Sequence, residues 1–378
     1  MKKLKKILAK AAVKAEDKID FHLFEFRKKY DLFKPLCIQT YRSYGTPERL
    51  YVKGRVLTNK GITKSQEDDN LWNNLLNMYR RFASDEIPNA QLGLTFQGVE
   101  HTVVTDDEGY FVLNLAPETP LQLDDIWHYI EVNLLDAPVN FEEGIKAKAQ
   151  VLVPPADAEY GVISDIDDTI VYTSATNRLR MARHVFTNNA HTRLPFPGVS
   201  AFYKSLMLGR NGKRNNPFFY VSSSPWNMYD LLHDFLDLHD IPAGPLLLRD
   251  FGMSENKFLQ SSHMSHKYHE IENILITYPH LKFVLIGDSG QEDAKIYREV
   301  VKNHPTRILA IYIRDVKLPE RAKMVVDISE ELKGHKVEML LVESTIEAAE
   351  HAAANGLVFT EAIPEVAAEK NKEEQLEK

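Results

Sequence analysis

Short apolar runs alternate with helical patterns in the second half of the chain. The runs begin near positions 161, 217, 282, 307 and 337, and each has the length of one strand. Continuous apolar runs are typical of strands that are buried on both faces of a parallel sheet. Strands that alternate with helices indicate βαβ units. For residues 156–360 we therefore predict an α/β domain with a parallel sheet and helices on both faces.

Residues 37–155 have a different pattern, with short strands at close spacing. We predict strands at 49–57, 128–134 and 145–153, and one strand on each side of a turn at 105–109. Apolar residues at helical spacing over 71–82 predict one helix. Several closely spaced strands favour a small β-rich, sandwich-like domain. It contains no cluster of catalytic residues, so we expect it to position or protect the next domain, or to bind a protein partner that the sequence does not identify.

The first 36 residues combine positive charge with helical periodicity. Leu4, Ile7, Leu8 and Ala11 share one face, and lysines occupy the others. A basic amphipathic helix can lie in an anionic membrane interface, so residues 1–20 are a candidate for peripheral membrane attachment. The alternative is a helix that packs its apolar stripe on the protein's own surface. Lysines interrupt the apolar stretch, so we do not expect a signal peptide.

The length of 378 residues is too great for one compact core. We predict an N-terminal helix (1–36), a β-rich domain (37–155), an α/β domain (156–360) and a charged, mobile tail (361–378). Pro154 and Pro155 mark the boundary between the two domains. The tail is rich in alanine and charge, a composition with little apolar surface to bury.

Charge and cysteine content limit the function classes. A net charge of -8 argues against a general nucleic-acid binder. The single cysteine, Cys37, excludes disulfides within the chain and suits a reducing compartment. No apolar run approaches the roughly 18 residues that a membrane-spanning helix needs. We predict a cytoplasmic protein and leave peripheral contact with the inner membrane face open as an alternative.

The apolar run at 161–164 is followed directly by Asp165, Asp167, Asp168 and Thr169. Ligands of open α/β sheets bind beyond the carboxyl ends of the strands. Acidic residues crowded there repel one another and lose solvation, so they require a cation. An all-oxygen cluster suits a hard ion, Mg²⁺ first. The alternative is an ordinary turn in which the Asp and Thr side chains cap the backbone.

Three further segments carry polar residues after an apolar run or at the start of a helix. Ser222 ends the second run and precedes a predicted helix with Pro225 in its first turn, which favours a phosphate site. Lys267 opens a later helix. Asp288 ends the third run, and Asp293 follows it. Two strands that both deliver acids at their carboxyl ends are hard to explain as turns. The nearby histidines 263, 266 and 269 lack the i,i+4 spacing of a zinc-binding helix.

Together these segments resemble, in order, the four motifs of the haloacid dehalogenase superfamily. The sequences Asp-Ile-Asp-Asp-Thr-Ile, Tyr-Val-Ser-Ser-Ser-Pro-Trp-Asn and Ile-Gly-Asp-Ser-Gly-Gln-Glu-Asp are similar to a narrower branch. That branch is the catalytic domain of the phosphatidate phosphatases first known from a fungal actin-patch protein, distantly related to lipins. The resemblance covers roughly residues 156–358 and does not extend to the front third of the chain. It implies a haloacid-dehalogenase-like Rossmannoid fold for the α/β domain.

The resemblance implies a role for each motif residue. Asp165 would be the nucleophile that forms an aspartyl-phosphate, and Asp167 the general acid and base. Thr169, Ser222 and Lys267 would bind the phosphoryl oxygens or steady the loop beside them.

The same resemblance implies a magnesium site. Mg²⁺ would bind the Asp165 side chain, the Asp167 backbone carbonyl and Asp288, and Asp293 would orient a metal-bound water or Lys267. Asp168 is an additional acid compared with lipins, and no role is assigned to it.

The implied activity is Mg²⁺-dependent hydrolysis of phosphatidate to diacylglycerol and phosphate at a membrane surface. One alternative is the same chemistry on a soluble phosphomonoester or phosphoprotein. Another is a lipid-binding module without turnover, which the intact Asp165 and Asp167 argue against. The basic segment 173–193 has two interpretations, a lid over the phosphate site or a solvated loop.

Overall fold

The computed structural model describes residues 28, 33, 35–59, 85–121, 125–170, 196–249 and 263–376. The predicted membrane-binding helix (1–20), the predicted helix over 71–82 and the basic segment 173–193 lie outside these residues. The described chain forms two sheets, one in each predicted domain.

The first sheet belongs to the β-rich domain. Its strands have the order β1-β3-β2-β8-β7-β4-β5, β6 pairs with β3, and the only parallel pair among these described strands is β2 with β8. Apolar residues of β3 and β6 share one core with those of β4, β7 and β8. The sheet therefore folds around a single core. The strands are β1 Leu36–Thr40, β2 Ser43–Thr46, β3 Arg49–Thr58, β4 Gln91–Phe96, β5 Val99–Val104, β6 Tyr110–Leu115, β7 Trp127–Asp136 and β8 Lys146–Leu152.

The second sheet is parallel throughout and has the order β11-β10-β9-β12-β13-β14. In chain order this is 3-2-1-4-5-6, the order of doubly wound α/β folds, which bind ligands where the order reverses. The reversal lies between β9 and β12. The predicted α/β fold with a parallel sheet is confirmed. The strands are β9 Gly161–Ser164, β10 Phe218–Pro225, β11 Leu246–Arg249, β12 Phe283–Asp288, β13 Ile308–Arg314 and β14 Glu338–Val342.

Helices cover both faces of this sheet. Successive strand residues alternate between two cores, as Val162 and Ile163 do. One core contains α1, α2, α6 and α7, and the other contains α3, α4 and α5. Among the described helices none is long and apolar enough to cross a membrane. The helices are α1 Val199–Leu208, α2 Tyr229–Leu238, α3 His263–Thr277, α4 Asp293–Asn303, α5 Pro319–Leu332, α6 Thr345–Ala354 and α7 Ala362–Leu376.

The predicted mobile tail is corrected by the structure, because α7 occupies nearly all of it. Val366 is fully buried against the α/β domain. Glu369 accepts a hydrogen bond from the Ala201 backbone N–H at 2.6 Å, and Glu373 accepts one from Gly198 at 2.7 Å. These carboxylates cap the N-terminus of α1, whose first N–H groups have no partner within their own helix. Composition indicated disorder because most of the tail is polar, but one buried valine and two capping carboxylates fix it.

Candidate active site

Asp165 follows the central strand β9 and is held on both carboxylate oxygens. Lys267 Nζ donates to Asp165 Oδ1 at 2.7 Å, and Thr169 Oγ1 donates to Oδ2 at 3.2 Å. The backbone N–H of Asp165 bonds to the Ile286 carbonyl of β12 at 2.9 Å. The carboxylate therefore has a fixed position at the point where the strand order reverses.

Lys267 and Asp293 form the base of the site. Lys267 Nζ also donates to Asp293 Oδ1 at 2.6 Å, and Asp293 Oδ2 accepts the Asp288 backbone N–H at 3.2 Å. Gly287 allows this approach, because a Cβ at that position would lie 2.7 Å from Asp293 Oδ2. Both oxygens of Asp293 are therefore engaged. These contacts place Asp293 beside both Lys267 and Asp288.

Asp167 is held by β10 and by the loop after β12. Ser222 and Ser224 both donate to Asp167 Oδ2, at 2.8 and 3.0 Å. Gln291 Nε2 donates to the Asp167 backbone carbonyl at 3.1 Å. Ser222, predicted to bind phosphate, thus contacts the predicted general acid. Sequence reasoning missed Ser224 and Gln291, although both lie within the motifs that it identified.

The segment after Ser224 differs from the prediction. Pro225 is the last residue of β10 rather than part of a helix's first turn, and the 3₁₀ turn Trp226–Met228 separates it from α2. Ser222 and Ser224 therefore lie within a strand and not at the N-terminus of the predicted helix, and phosphate binding by Ser222 stays a prediction. Strand β10 continues through Pro225, so the serines lie in a strand and the α-helix begins only at Tyr229.

Asp168 and Arg314 were not predicted to interact. Asp168 has a left-handed backbone (φ 56°), and its carbonyl accepts a hydrogen bond from Arg314 Nη1 at 2.6 Å. The Arg314 guanidinium also lies 3.6 Å from the centre of the Phe196 ring. Arg314 ends β13 in register with Asp288. The available signal was an arginine directly after the apolar run 307–313, at the same sheet edge as the acids.

The site concentrates negative charge in a buried space. Five carboxylates are buried there, with Lys267 and Arg314 as buried cations, and the acids are Asp165, Asp167, Asp168, Asp288 and Asp293. Burial raises the pKa of Asp165 well above its usual range, reinforced by Asp293 and Asp288 and opposed by Lys267. Burial and Asp293 raise the pKa of Asp288 to about 8. Burial alone would lower the pKa of Lys267, but the surrounding carboxylates raise it. Without a bound cation, burial therefore favours the protonated forms of Asp165 and Asp288, whose pKa values are both raised.

The donor set fits a hard divalent cation. Among the described residues, one group of side chains has the spacing of a metal site, with oxygens of Asp165, Asp288 and Asp293 all within 4.8 Å of one another. Asp288 Oδ1 accepts the N–H groups of Gly290 and Gln291 at 2.6 and 2.9 Å. Asp288 Oδ2 is buried and has no hydrogen-bond partner in the described part of the chain. A buried carboxylate oxygen without a donor is costly, and a cation would satisfy it.

Residues 160–315 match a family model described as the catalytic domain of phosphatidate phosphatase APP1. Phosphatidate phosphatase APP1 of Saccharomyces cerevisiae is 37% identical over 155 residues, which are 41% of this chain and 25% of that protein. An uncharacterized protein of Schizosaccharomyces pombe is 29% identical over 220 residues, 57% of this chain and 35% of that protein. The alignments thus span only a quarter to about a third of these relatives. They confirm the predicted resemblance of this segment to a phosphatase catalytic domain.

Solved structures add nothing about function. A carbohydrate acetylesterase from Xanthomonas citri aligns with 83% of this chain and 72% of its own, at 10% identity and a TM-score of 0.28. Similarity at this level does not establish a shared fold.

Proposed function

We propose that the protein is a Mg²⁺-dependent phosphatidate phosphatase with a haloacid-dehalogenase-like active site. The observation that carries the proposal is Asp165, a buried carboxylate fixed by Lys267 and Thr169 beside the unpartnered Asp288 Oδ2. The match of residues 160–315 to the catalytic domain of phosphatidate phosphatase APP1 supports the phosphatase class and the lipid substrate.

In the proposed reaction a carboxylate oxygen of Asp165 attacks phosphorus and displaces the lipid alkoxide. Asp167 gives its proton to the leaving oxygen, so that diacylglycerol departs neutral. Asp167 then takes a proton from water, and the resulting hydroxide attacks the aspartyl-phosphate, releases phosphate and restores Asp165. Two carboxylates are needed because one oxygen cannot bind phosphorus and transfer a proton in the same step.

The surrounding donors hold the reacting groups in place. Lys267 would balance charge on the phosphoryl oxygens while Asp293 keeps its ammonium in position. Ser222 donates its hydroxyl to Asp167, so it would reach a phosphoryl oxygen only by exchanging that bond when substrate binds.

The Asp165 and Asp288 side chains and the Asp167 carbonyl would hold Mg²⁺. When bound, the ion supplies positive charge that draws the phosphoryl group to a carboxylate nucleophile. Its charge would also offset the acid cluster, which Lys267 and Arg314 balance only in part.

The lipid substrate requires contact with a membrane surface. We infer peripheral attachment at the inner membrane face, and residues 1–20 are the candidate segment because of their basic amphipathic pattern. Deletion of these residues should abolish activity on liposomes and preserve activity on short-chain, water-soluble substrate. Equal activity on liposomes would remove the attachment role.

The decisive experiment measures phosphate release from phosphatidate in mixed micelles, with and without Mg²⁺, beside a panel of soluble phosphomonoesters. Lipid turnover that requires Mg²⁺ and falls at least about 10⁴-fold in Asp165→Asn supports the proposal. Turnover of soluble esters alone keeps the mechanism and removes the lipid substrate. Phosphatidate binding without any turnover overturns the proposed activity.

A further inference from the structure

The two faces of strand β3 in the β-rich domain contact different domains. Leu50, Val52 and Val56 are buried in the core of its own domain. Tyr51 packs against the core of the α/β domain, and Lys53 lies over the Trp226 ring of that domain. The strand therefore joins the two domains.

The contact with Trp226 lies directly beyond the serines that bind Asp167. Lys53 Nζ is 4.0 Å from the centre of a Trp226 ring, and the Tyr41 ring is centred 4.5 Å from Trp226. Tyr229, which stacks on Trp226, accepts the Arg42 backbone N–H at 2.7 Å. One residue, Pro225, separates Trp226 from Ser224. The β-rich domain thus contacts the segment just beyond β10 at both Trp226 and Tyr229.

A second contact reaches the helix that carries Lys267. The Tyr278 hydroxyl, just beyond the end of α3, donates to the Gly45 carbonyl at 3.0 Å. Glu270 lies one turn after Lys267 on the same helix. Burial raises the pKa of the Glu270 carboxyl, and the Lys53 ammonium opposes that rise. The segments just beyond β10 and just beyond α3 therefore both contact residues 41–53 of the β-rich domain.

We propose that the β-rich domain is a positioning part of the active site, in which Tyr41 and Lys53 fix Trp226 and thereby Ser222 and Ser224. The serines hold Asp167, and their further role on the phosphoryl group rests on the proposed function. A cation over an indole face restricts both groups, most strongly where water is excluded, and Trp226 is almost fully buried. A reacting group displaced by about 1 Å can lower a rate about 100-fold.

The test compares Lys53→Met, which removes the cation and keeps an unbranched side chain, with Lys53→Arg, which retains the cation. Lys53→Met should lower kcat about 10- to 100-fold with KM nearly unchanged, and Lys53→Arg should restore most of the rate. Lys53→Gln serves as a second variant if Lys53→Met does not fold, as judged by circular dichroism. The exposed Lys146 of the same domain provides the matched control, and Lys146→Met should match wild type.

A double-mutant cycle shows whether Lys53 acts through Trp226. If it does, Lys53→Met combined with Trp226→Leu should be no slower than Trp226→Leu alone. Additive losses, or a Lys53→Met enzyme equal to wild type, would overturn the proposal. Additive losses would show that Lys53 acts independently of Trp226.

Failure of the proposed function would appear separately, as wild-type protein that releases no phosphate. Positioning is then measured with inorganic phosphate as the probe and with Trp226 as the only tryptophan, after replacement of Trp72 and Trp127 by Phe and with excitation where tyrosine does not absorb. A phosphate-dependent change in Trp226 emission that is lost in Lys53→Met and kept in Lys146→Met supports the inference. An identical response in both variants contradicts it.

Discussion

Asp168 has a backbone conformation that side chains rarely adopt, in the middle of the loop that carries both catalytic candidates. Asp and Asn tolerate the left-handed region better than most residues, and glycine enters it freely. Arg314 holds this conformation through the Asp168 carbonyl. The identity of residue 168 should therefore affect stability through the backbone as well as through charge.

We predict that Asp168→Gly is more stable than Asp168→Ala by about 1–2 kcal/mol, because only the alanine has a Cβ in the left-handed region. Both variants lack the carboxylate, so each is the other's control for charge. Urea unfolding followed by circular dichroism measures the difference. Equal stability would show that Arg314 does not enforce the conformation.

The raised pKa of the Asp288 carboxyl predicts how the stability of the fold depends on pH and on Mg²⁺. Its carboxyl pKa is raised from 3.8 to about 8 in the fold, so the metal-free folded protein holds a proton that the unfolded chain releases near 3.8. The resulting stabilisation is complete below the unfolded pKa and is lost as pH rises through about 8. Melting temperature without Mg²⁺ should therefore fall between pH 6 and 9.

Mg²⁺ should reverse this fall, since the ion replaces the proton on the ionised Asp288. Thermal unfolding with and without Mg²⁺ at each pH measures the effect, which should be larger at pH 9 than at pH 6. Asp288→Asn should weaken both the pH dependence and the Mg²⁺ effect. A variant that keeps both would remove Asp288 from the cation site.

The candidate site was largely predictable at the level of residue identity. Asp165, Asp167 and Asp288 follow apolar runs, and the ends of parallel strands meet at one edge of a sheet. Their hydrogen bonds were not predictable, because the direction of a serine or glutamine donor depends on side chains far away in sequence. Ser222 illustrates this, because it lies in β10 and donates to Asp167 in the loop after the neighbouring strand β9.

Helix α7 acts on the α/β domain through two carboxylates. Glu369→Ala and Glu373→Ala should each lower the free energy of unfolding by about 1 kcal/mol, because each removes an acceptor from the N-terminus of α1. The exposed Glu350 of α6 is the control, and Glu350→Ala should change stability little. Losses no larger than that of the control would show that the capping bonds contribute nothing.

Five of the six described strands of the parallel sheet were predicted from their apolar runs, and one was missed. The runs that became β9, β10, β12, β13 and β14 were recognised. Leu246–Arg249 was missed because four residues after Pro242, Gly244 and Pro245 give no clear period. The strand is identified only by its parallel pairing with β10, a contact that local sequence does not encode.

At the scale of the molecule, the two domains share aromatic contacts that neither sequence pattern revealed. Tyr44 of β2 packs perpendicular to Phe219, with ring centres 5.7 Å apart, and also packs against Tyr278. The sequence of residues 49–57 indicated a strand. It did not indicate that Tyr51 and Lys53, on the other face, are covered by the second domain.

We predict that both domains unfold in one transition, because the core of the α/β domain includes Tyr44 and Leu152 of the β-rich domain. Urea unfolding monitored by tryptophan fluorescence and by far-ultraviolet circular dichroism should give coincident curves. Tyr44→Ala should shift both midpoints together. Separate midpoints for the two probes would mean that the domains are energetically independent.

The order of strands in the parallel sheet also governs how the protein is made. The central strand β9 pairs with β10 on one side and β12 on the other, and β12 begins roughly 120 residues after β9. At about 5–20 residues per second, a ribosome needs about 6–24 s to synthesise that interval. During this time one edge of an apolar strand has no neighbour, and Asp165 emerges long before Lys267, its partner in the finished site. We therefore expect that the nascent chain needs protection from aggregation longest at β9, the strand that leads into the candidate site.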